Sequence, residues 1–330
     1  MTAPLLSVII PTHNRPQYLP RAVESALQAV PNGSVEVIVV PNGGDHTWKE
    51  SLANLLHDIR IIVSPIEKRH ANVARNHGLM LAKGKYVRFL DDDDFLYTDI
   101  AKEQLMNMME SNAEVSSYGI RIENEIGEKI RDWLPKVEHN DFIYFCISPN
   151  RLQQMTSLLF LKYKVKSTLW DESLPYSQDI CWLLDLCINN EFHWYYKRSL
   201  VGAWVHHQSE RISKKSDENH RKSLIVERIL KLEKQLIREN RLNADRRFAI
   251  ASALWQYIFS EFYKDFSYWN YIAQEAKRVC PEYKCNVFSS ISPKLPKINF
   301  ESSPMKVLPI ISFIFLCTNI LKKIKGCLKA

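Results

Sequence analysis

Four consecutive aspartates end an apolar run of the sequence. The run YVRFL occupies residues 86–90, and the aspartates follow it at residues 91–94. Keeping all of these neighbouring carboxylates ionised costs free energy unless a cation or hydrogen-bond donors stabilise them. Mg²⁺ and Mn²⁺ favour oxygen ligands and often complete their coordination with substrate phosphates. The pattern predicts a divalent-metal site for a phosphorylated substrate; the alternative is a solvated acidic turn, with Asp94 or Thr98 capping the next helix.

The elements that must position these carboxylates alternate between two patterns. Short β-rich runs at residues 5–10, 35–40, 59–63 and 86–90 are separated by helical spacing at residues 17–30, 46–56 and 70–82. This order predicts an α/β fold with a mostly parallel sheet flanked by helices. Ligands of such sheets bind beyond the carboxyl ends of the strands. The segments that follow the strands, at residues 11–15, 41–45 and 91–94, are therefore the candidate site.

The remainder of the chain predicts a mixed region and then a helical one. Helices are predicted at residues 98–110 and 177–189, and strands at residues 114–122, 129–133, 156–161, 192–196 and 200–206. From residue 217 the pattern is helical almost throughout. We predict a domain at residues 1–215, a helical extension at 216–300 and a basic, apolar tail at 301–330.

Composition and charge narrow the class of protein. The chain has 330 residues, 46% hydrophobic and 25% charged, which is typical of a globular protein. Its seven cysteines include no CxxC pair, which favours a reducing compartment over a zinc or disulfide framework. The first residues lack a signal-peptide pattern, so a cytoplasmic location is expected. The net charge of +7 comes without a nucleic-acid-binding motif, so no nucleic-acid partner is expected.

The tail carries an apolar run at residues 307–321, followed by Lys322, Lys323 and Lys325. The run is shorter than the roughly 20 residues that cross a bilayer. It predicts a helix lying in the membrane interface, with lysines among anionic headgroups at the inner face of the cell membrane. A core helix packed on the helical extension is the alternative.

Three blocks occur in a specific order: SVIIPTHNR at residues 7–15, VIVVPNG at 37–43, and a long block from ARNHG at 74–78 to FLDDDD at 89–94. In this order and spacing the chain resembles the family 2 glycosyltransferases, which are inverting enzymes of the GT-A fold, over about residues 5 to 213. The resemblance implies that a nucleotide-sugar donor lies across the first half of the sheet.

The resemblance also implies roles for individual residues on the donor side. Asp91, Asp92 and Asp93 occupy the DXD region, with Asp93 and Asp91 as ligands of Mg²⁺ or Mn²⁺. The positions expected to bind the donor are Pro11, His13, Arg15, Asn42, Arg75, Asp91, Asp92, His206 and Arg211. Taken alone, His13 and Arg75 could be a surface histidine and a solvated helix residue. The chain departs from the family at Pro41, where an acidic residue is usual, which leaves the nucleotide preference open.

The block WDESLPYSQD at residues 170–179 resembles the acceptor-side motif of the family, in which the aspartate is the general base. Inversion requires an acceptor hydroxyl to attack the anomeric carbon, and a carboxylate that takes its proton lowers the barrier. Asp179 is therefore the predicted base. The alternative is that Asp179 only stabilises the first turn of a helix.

The block WVHHQSERIS at residues 204–213 matches the histidine-containing segment near the end of the family's domain. Strand alternation allows only one of His206 and His207 to face the site, and we assign His206. Arg211 and Lys214 are either phosphate-facing or solvated.

The sequence thus predicts an inverting, metal-assisted glycosyltransferase that uses a nucleoside diphosphate-sugar and a surface polysaccharide or lipid-linked oligosaccharide acceptor. The alternatives are a nucleotidyltransferase acting on a sugar phosphate and a non-catalytic nucleotide-sugar-binding protein.

Overall fold

The computed structural model describes residues 3–134, 139–148, 154–207, 218–262 and 264–283. The chain divides into two compact units, one comprising Met1–Cys146 and Asn150–Ser216, the other Ile147–Pro149 and Asp217–Ala330. The division into a domain at 1–215, an extension at 216–300 and a tail at 301–330 stays a prediction, and the tail lies outside the described residues.

The first unit is built on a sheet with flanking helices. Its strands are β1 (Leu6–Thr12), β2 (Val35–Pro41), β3 (Ile61–Val63), β4 (Tyr86–Phe89), β5 (Phe95–Leu96), β6 (Val115–Asn124), β7 (Lys129–Trp133), β8 (Leu158–Leu161) and β9 (Trp194–His206). The helices up to residue 189 are α1 (Leu19–Leu27), α2 (Trp48–Ser51), α3 (Ala71–Leu81), α4 (Thr98–Glu110), α5 (Phe142–Ile147), α6 (Lys162–Val165) and α7 (Gln178–Asn189).

The strand order is β3-β2-β1-β4-β8-β6-β9-β5, with β7 paired to β6. The first four strands are mutually parallel, as the sequence predicts. Strand β8 is antiparallel to both β4 and β6, and β9 runs parallel to β6. The carboxyl ends of β1, β2 and β4 therefore meet at one edge of the sheet.

Helices cover both faces of the central strand β1, which explains why all of its residues are buried. Val8 and Ile10 are fully buried in a cluster with residues of α1. On the other face, Gly78 of α3 packs so closely on Ile9 that a side chain at position 78 would collide with it. At the start of α3, His70 accepts a hydrogen bond from the backbone N–H of Asn72 at 3.1 Å.

Several elements of the structure differ from the prediction. The predicted strands at residues 192–196 and 200–206 form the single strand β9, which pairs with β6 through two register shifts. Helix α2 covers only Trp48–Ser51 of the predicted 46–56. The short strand β5 directly follows the aspartates and pairs with β9, which periodicity did not indicate because the strand has only two residues.

The second unit contains α8 (Glu218–Arg238), α9 (Ala244–Glu261) and α10 (Phe266–Val279). Asn243 and Asp265 cap α9 and α10 by accepting backbone hydrogen bonds. Arg278 of α10 binds the buried carboxylate of Glu233 on α8 through both Nη atoms, at 3.0 and 3.1 Å. None of the helices in the described ranges combines the length and apolar character needed to cross a membrane.

Candidate active site

Asp94 has a structural role, because both of its carboxylate oxygens accept hydrogen bonds from other parts of the chain. Its Oδ2 atom accepts hydrogen bonds from Gln154 Nε2 and Thr156 Oγ1, both at 2.8 Å. Its Oδ1 atom accepts one from the backbone N–H of Val205 in β9, at 3.1 Å. Burial, followed by the nearby carboxylates of Asp93 and Asp91, raises the pKa of Asp94 well above its ordinary value. Asp94 thereby fixes the end of β9 beside the end of β4.

The other three aspartates pair with cationic or imidazole side chains. Arg15 Nη1 donates to Asp92 Oδ1 at 3.0 Å and to Asp93 Oδ2 at 2.6 Å. Arg75 Nη2 donates to Asp91 Oδ1 at 2.8 Å. Burial, opposed by Arg15 and reinforced by Asp93, raises the pKa of Asp92 to about 7. The predicted donor-side residues Arg15, Arg75 and the aspartates therefore form one cluster.

The carboxylates of this cluster fit a divalent cation. Asp91, Asp93 and Asp94 each offer a ligand atom within 4.8 Å of the others. Both oxygens of Asp94 also accept hydrogen bonds from protein groups. Carboxylate oxygens are the ligands that Mg²⁺ and Mn²⁺ prefer. Ligation by Asp91 and Asp93 fits this geometry and stays a prediction.

The loops after β1 and β2 are tied together. His13 Nδ1 lies 2.6 Å from the carbonyl oxygen of Asn42, and Asn42 Nδ2 donates to the carbonyl of Thr12 at 2.8 Å. One N–H of the Asn42 side-chain amide therefore donates to the protein's own backbone. The predicted contact of this amide with the nucleobase of the donor would have to use its other N–H or its oxygen. Pro11 is buried in β1 opposite Val40.

Asp45, which the sequence reasoning missed, holds the loop that carries His13 and Arg15. The carboxylate accepts hydrogen bonds from the backbone N–H of Asn14 at 2.9 Å and from Thr47 N–H and Oγ1 at 2.8 and 2.7 Å. Burial opposes ionisation, but these hydrogen bonds outweigh it and lower the pKa of Asp45. Its place in the 41–45 segment after β2 was the available signal.

Arg75 joins the aspartate cluster to the acceptor-side segment. Its Nη2 atom lies 3.9 Å from Asp179 Oδ1, and its Nη1 atom donates to Gln178 Oε1 at 3.0 Å. The guanidinium also lies 4.5 Å from the centre of the Trp170 ring. These contacts bring the predicted base Asp179 close to the predicted donor-side residue Arg75, although 104 positions separate them in the sequence.

Asp179 has the ionisation behaviour that a base near neutral pH needs. It is the second residue of α7, where the macrodipole favours the charged form. Burial nevertheless dominates and, opposed by Arg75 and reinforced by Asp91, raises the pKa of Asp179 to about 7. The side chain is therefore mostly buried, but it keeps 30% of its surface exposed.

His207, not the assigned His206, reaches the aspartates. Its Nε2 atom lies 2.6 Å from Asp93 Oδ2, and its side chain is fully buried. Tyr18 stacks on the imidazole with ring centres 5.3 Å apart, a contact that the sequence reasoning missed. His206 instead packs edge-on against Trp204. Arg211 and Lys214 lie outside the described residues.

The structure is similar to solved structures of S. aureus TarS. It matches the crystal structure of S. aureus TarS residues 1–349 in complex with UDP-GlcNAc with a TM-score of 0.56 and 17% sequence identity, covering 89% of this chain and 94% of that chain. At this identity the likeness shows the fold alone. It confirms the predicted GT-A type α/β architecture.

Curated relatives match by sequence over part of their length. An uncharacterized glycosyltransferase of Rickettsia felis is 28% identical over 189 residues, covering 56% of this chain and 30% of the relative. The GalNAc(5)-diNAcBac-PP-undecaprenol beta-1,3-glucosyltransferase of Campylobacter jejuni is 34% identical over 115 residues, covering 34% of this chain and 37% of the relative. The matched region is therefore less than half of either relative.

The model of the family described as glycosyl transferase family 2 matches residues 7–181. This range contains the aspartate cluster, Arg75 and Asp179, and it exceeds half of the chain. The chain belongs to glycosyl transferase family 2.

Proposed function

We propose that this protein is an inverting glycosyltransferase that moves a sugar from a nucleoside diphosphate-sugar to a hydroxyl group of a saccharide acceptor. The observation that carries the proposal is the position of Arg75, which contacts Asp91 on the donor side and lies 3.9 Å from Asp179 on the acceptor side. Direct displacement needs a site for a diphosphate and a base next to each other, and the contacts of Arg75 with Asp91 and Asp179 support such a pairing.

In this mechanism the acceptor oxygen attacks the anomeric carbon while the bond from that carbon to the diphosphate oxygen breaks. Asp179 takes the hydroxyl proton, and the diphosphate leaves with the bonding electrons. A base with a pKa of about 7 is partly ionised at neutral pH and still accepts a proton readily. The 30% exposure of Asp179 supports access by an acceptor from solution.

On the donor side, Asp91 and Asp93 would hold Mg²⁺ or Mn²⁺. When bound, this cation would neutralise charge on the leaving diphosphate. Arg15 adds a fixed positive charge beside Asp92 and Asp93, and His207 contacts Asp93. We assign Arg15, Arg75, His13 and Asn42 to the nucleotide side of the site, together with Pro11 and Arg211.

The acceptor we propose is a growing surface polysaccharide or lipid-linked oligosaccharide. The name of the Campylobacter jejuni relative, which contains undecaprenol, supports this acceptor class. The apolar run at residues 307–321 and the lysines after it would hold the protein on the anionic inner face of the cell membrane. Such a location would bring the site near lipid-linked acceptors.

The test is a screen of purified protein against a panel of nucleotide sugars with Mn²⁺ and with EDTA. Metal-dependent release of nucleoside diphosphate, or transfer to an added saccharide, supports the proposal. Release of pyrophosphate from a nucleoside triphosphate and a sugar phosphate would instead support a nucleotidyltransferase. Tight binding without turnover on any donor would support a non-catalytic nucleotide-sugar-binding protein.

A further inference from the structure

Two asparagines of α3 hold the acceptor-side segment by its backbone. Asn76 Oδ1 accepts a hydrogen bond from the Trp170 backbone N–H at 2.8 Å, and Asn76 Nδ2 donates to the Trp170 carbonyl at 2.9 Å. Asn72 Nδ2 donates to the carbonyl of Asp171 at 2.7 Å. We infer that Asn76, assisted by Asn72, is a positioning residue that sets where Asp179 stands; this inference rests on the proposed function.

The contact of Asn76 with Trp170 is reciprocal, which fixes both the distance and the orientation of the segment. One amide satisfies a backbone donor and a backbone acceptor of the same residue, as a neighbouring β-strand would. Asn76 Nδ2 also donates to Glu172 Oε1 at 3.1 Å. Because Asn76 is only 5% exposed, water competes little for these hydrogen bonds.

Trp170 packs directly against α7, the helix that carries Asp179, so the position of Trp170 affects the position of that helix. The indole of Trp170 stacks on that of Trp182 in α7, with ring centres 4.5 Å apart and planes only 4° from parallel. Trp182 follows Asp179 by three positions, so both side chains lie on the same side of α7. Both tryptophans are 1% exposed, and a tightly packed interior transmits small displacements.

Asn72, Arg75 and Asn76 occupy positions i, i+3 and i+4 of α3 and therefore share one face of the helix. Arg75 Nη1 also donates to Asn72 Oδ1 at 3.1 Å. The same face thus pairs with Asp91 through Arg75 and with the acceptor-side backbone through the two amides. A displacement of the segment relative to this face would change the separation of Asp179 from the donor side.

The chemistry of the contact requires an amide at position 76. Alanine removes both hydrogen bonds to Trp170. Aspartate can still accept from the Trp170 N–H, but its second oxygen would face the Trp170 carbonyl and the Glu172 carboxylate, which repel it. Changing Glu172 to glutamine at the same time supplies a new donor and removes the like charge.

The experiment compares Asn76→Ala, Asn76→Asp, and Asn76→Asp with Glu172→Gln. A displacement on the order of 1 Å at a catalytic group costs about a hundredfold in rate, so kcat for transfer should fall by about that factor in both single variants. Binding of UDP, dTDP and GDP with Mn²⁺, measured by calorimetry, should match the wild-type protein. The double variant should regain part of the lost kcat, which a purely structural loss would not do.

The matched control is Asn107→Ala, since Asn107 Nδ2 donates to Tyr118 Oη at 2.7 Å far along the chain from the segment. The control also loses a side-chain hydrogen bond, but away from the segment, and should keep its kcat. If Asn76→Ala does not fold, Asn72→Ala tests the same claim. It removes one hydrogen bond to the backbone of the segment, whereas Asn76→Ala removes two. Hydrogen exchange of residues 170–179 should accelerate in the Asn76 or Asn72 variants and stay unchanged in the control.

Wild-type kcat in a folded Asn76→Ala protein would overturn the inference, as would an equal loss of kcat in Asn107→Ala. A parallel loss of nucleotide affinity would also overturn it, because the defect would then not be confined to the base. If the wild-type protein transfers no sugar from any donor, the proposed function fails and this inference fails with it. An active wild type with unaffected variants overturns the positioning role alone.

Discussion

The Nη2 atom of Arg75 lies 3.9 Å from the carboxylate of Asp179. The same nitrogen donates to Asp91, one of the aspartates after β4. One buried guanidinium therefore lies between the aspartates after β4 and the carboxylate of Asp179. It also opposes the effect of burial on Asp179, so that the pKa of the carboxyl stays near 7 and not higher.

Asp179→Asn should abolish transfer while leaving nucleotide affinity nearly intact. The amide keeps the size of the side chain but cannot take a proton from the acceptor, and loss of general-base catalysis costs about 10²- to 10⁴-fold in rate. The measurement is kcat for transfer alongside calorimetric titration with the nucleoside diphosphate. Asp185→Asn on the same helix is the control. Transfer at the wild-type rate by Asp179→Asn would exclude this residue as the base.

Transfer by the wild-type protein should lose rate on the acid side of pH 7. The pKa of Asp179 is raised to about 7, so protons occupy the base as the pH falls through that value. The rate should fall about tenfold per pH unit below the apparent pKa. The pKa of Asp92 is also raised to about 7, so Asp92→Asn is the control. This variant should be less active than the wild type, but its rate should fall below pH 7 in the same way (the acid limb of the profile). Loss of the limb in that variant would assign it to Asp92.

The same shift predicts an opposite trend in stability. A carboxyl whose pKa is higher in the folded state takes up protons on folding, so folding is favoured as the pH falls from 8 through 7. The wild-type protein should therefore lose stability relative to Asp179→Asn as the pH rises through 7. Urea unfolding of both proteins at pH 6 and pH 8 measures this difference. An equal difference at the two pH values would contradict the raised pKa.

Asp94→Ala should destabilise the first unit. Gln154, Thr156 and the Val205 N–H would lose their acceptor, and each buried donor left unpaired costs about 1–3 kcal/mol. Part of this cost is offset because a buried carboxyl is also removed. The control is Asp99→Ala, whose side chain is 94% exposed and should change stability by less than about 0.5 kcal/mol. Equal urea midpoints for the two variants would reject a structural role for Asp94.

Removal of the residues after Ser303 should release the protein from vesicles that contain anionic lipid. The apolar run at 307–321 and the lysines behind it would supply the binding. Cosedimentation with and without anionic lipid measures the effect, and turnover on a soluble acceptor should persist. An unchanged bound fraction after truncation would reject the tail as the membrane contact.

Much of the fold is readable in the sequence because helix and strand periods differ. The strands β1, β2 and β4 are mostly apolar on both faces and end in polar segments, which predicts a parallel sheet and the edge where ligands of such sheets bind. The helix predicted at residues 98–110 has the bounds of α4, Thr98–Glu110. The extent of β9 was wrong because its pairing with β6 includes register shifts that no local period encodes.

The site could be predicted only in part, because contacts between residues far apart in the sequence leave no local pattern. Strand alternation indicated that one of His206 and His207 faces the aspartates, but His207 follows the last residue of β9, where alternation no longer sets the direction of a side chain. The amides of Asn72 and Asn76 could be placed on one face of α3, yet their partners lie about 100 positions away. The structural use of Asp94 likewise depends on Gln154, Thr156 and Val205, which are remote in the sequence.

The most direct test of the account is calorimetric titration of the protein with UDP, dTDP and GDP in Mn²⁺ and in EDTA. The account predicts that one of these nucleotides binds, that Mn²⁺ tightens its binding by about tenfold or more, and that Asp93→Ala removes the Mn²⁺ effect. Equal affinity in Mn²⁺ and EDTA, or an Asp93→Ala protein that responds to Mn²⁺ as the wild type does, would contradict it.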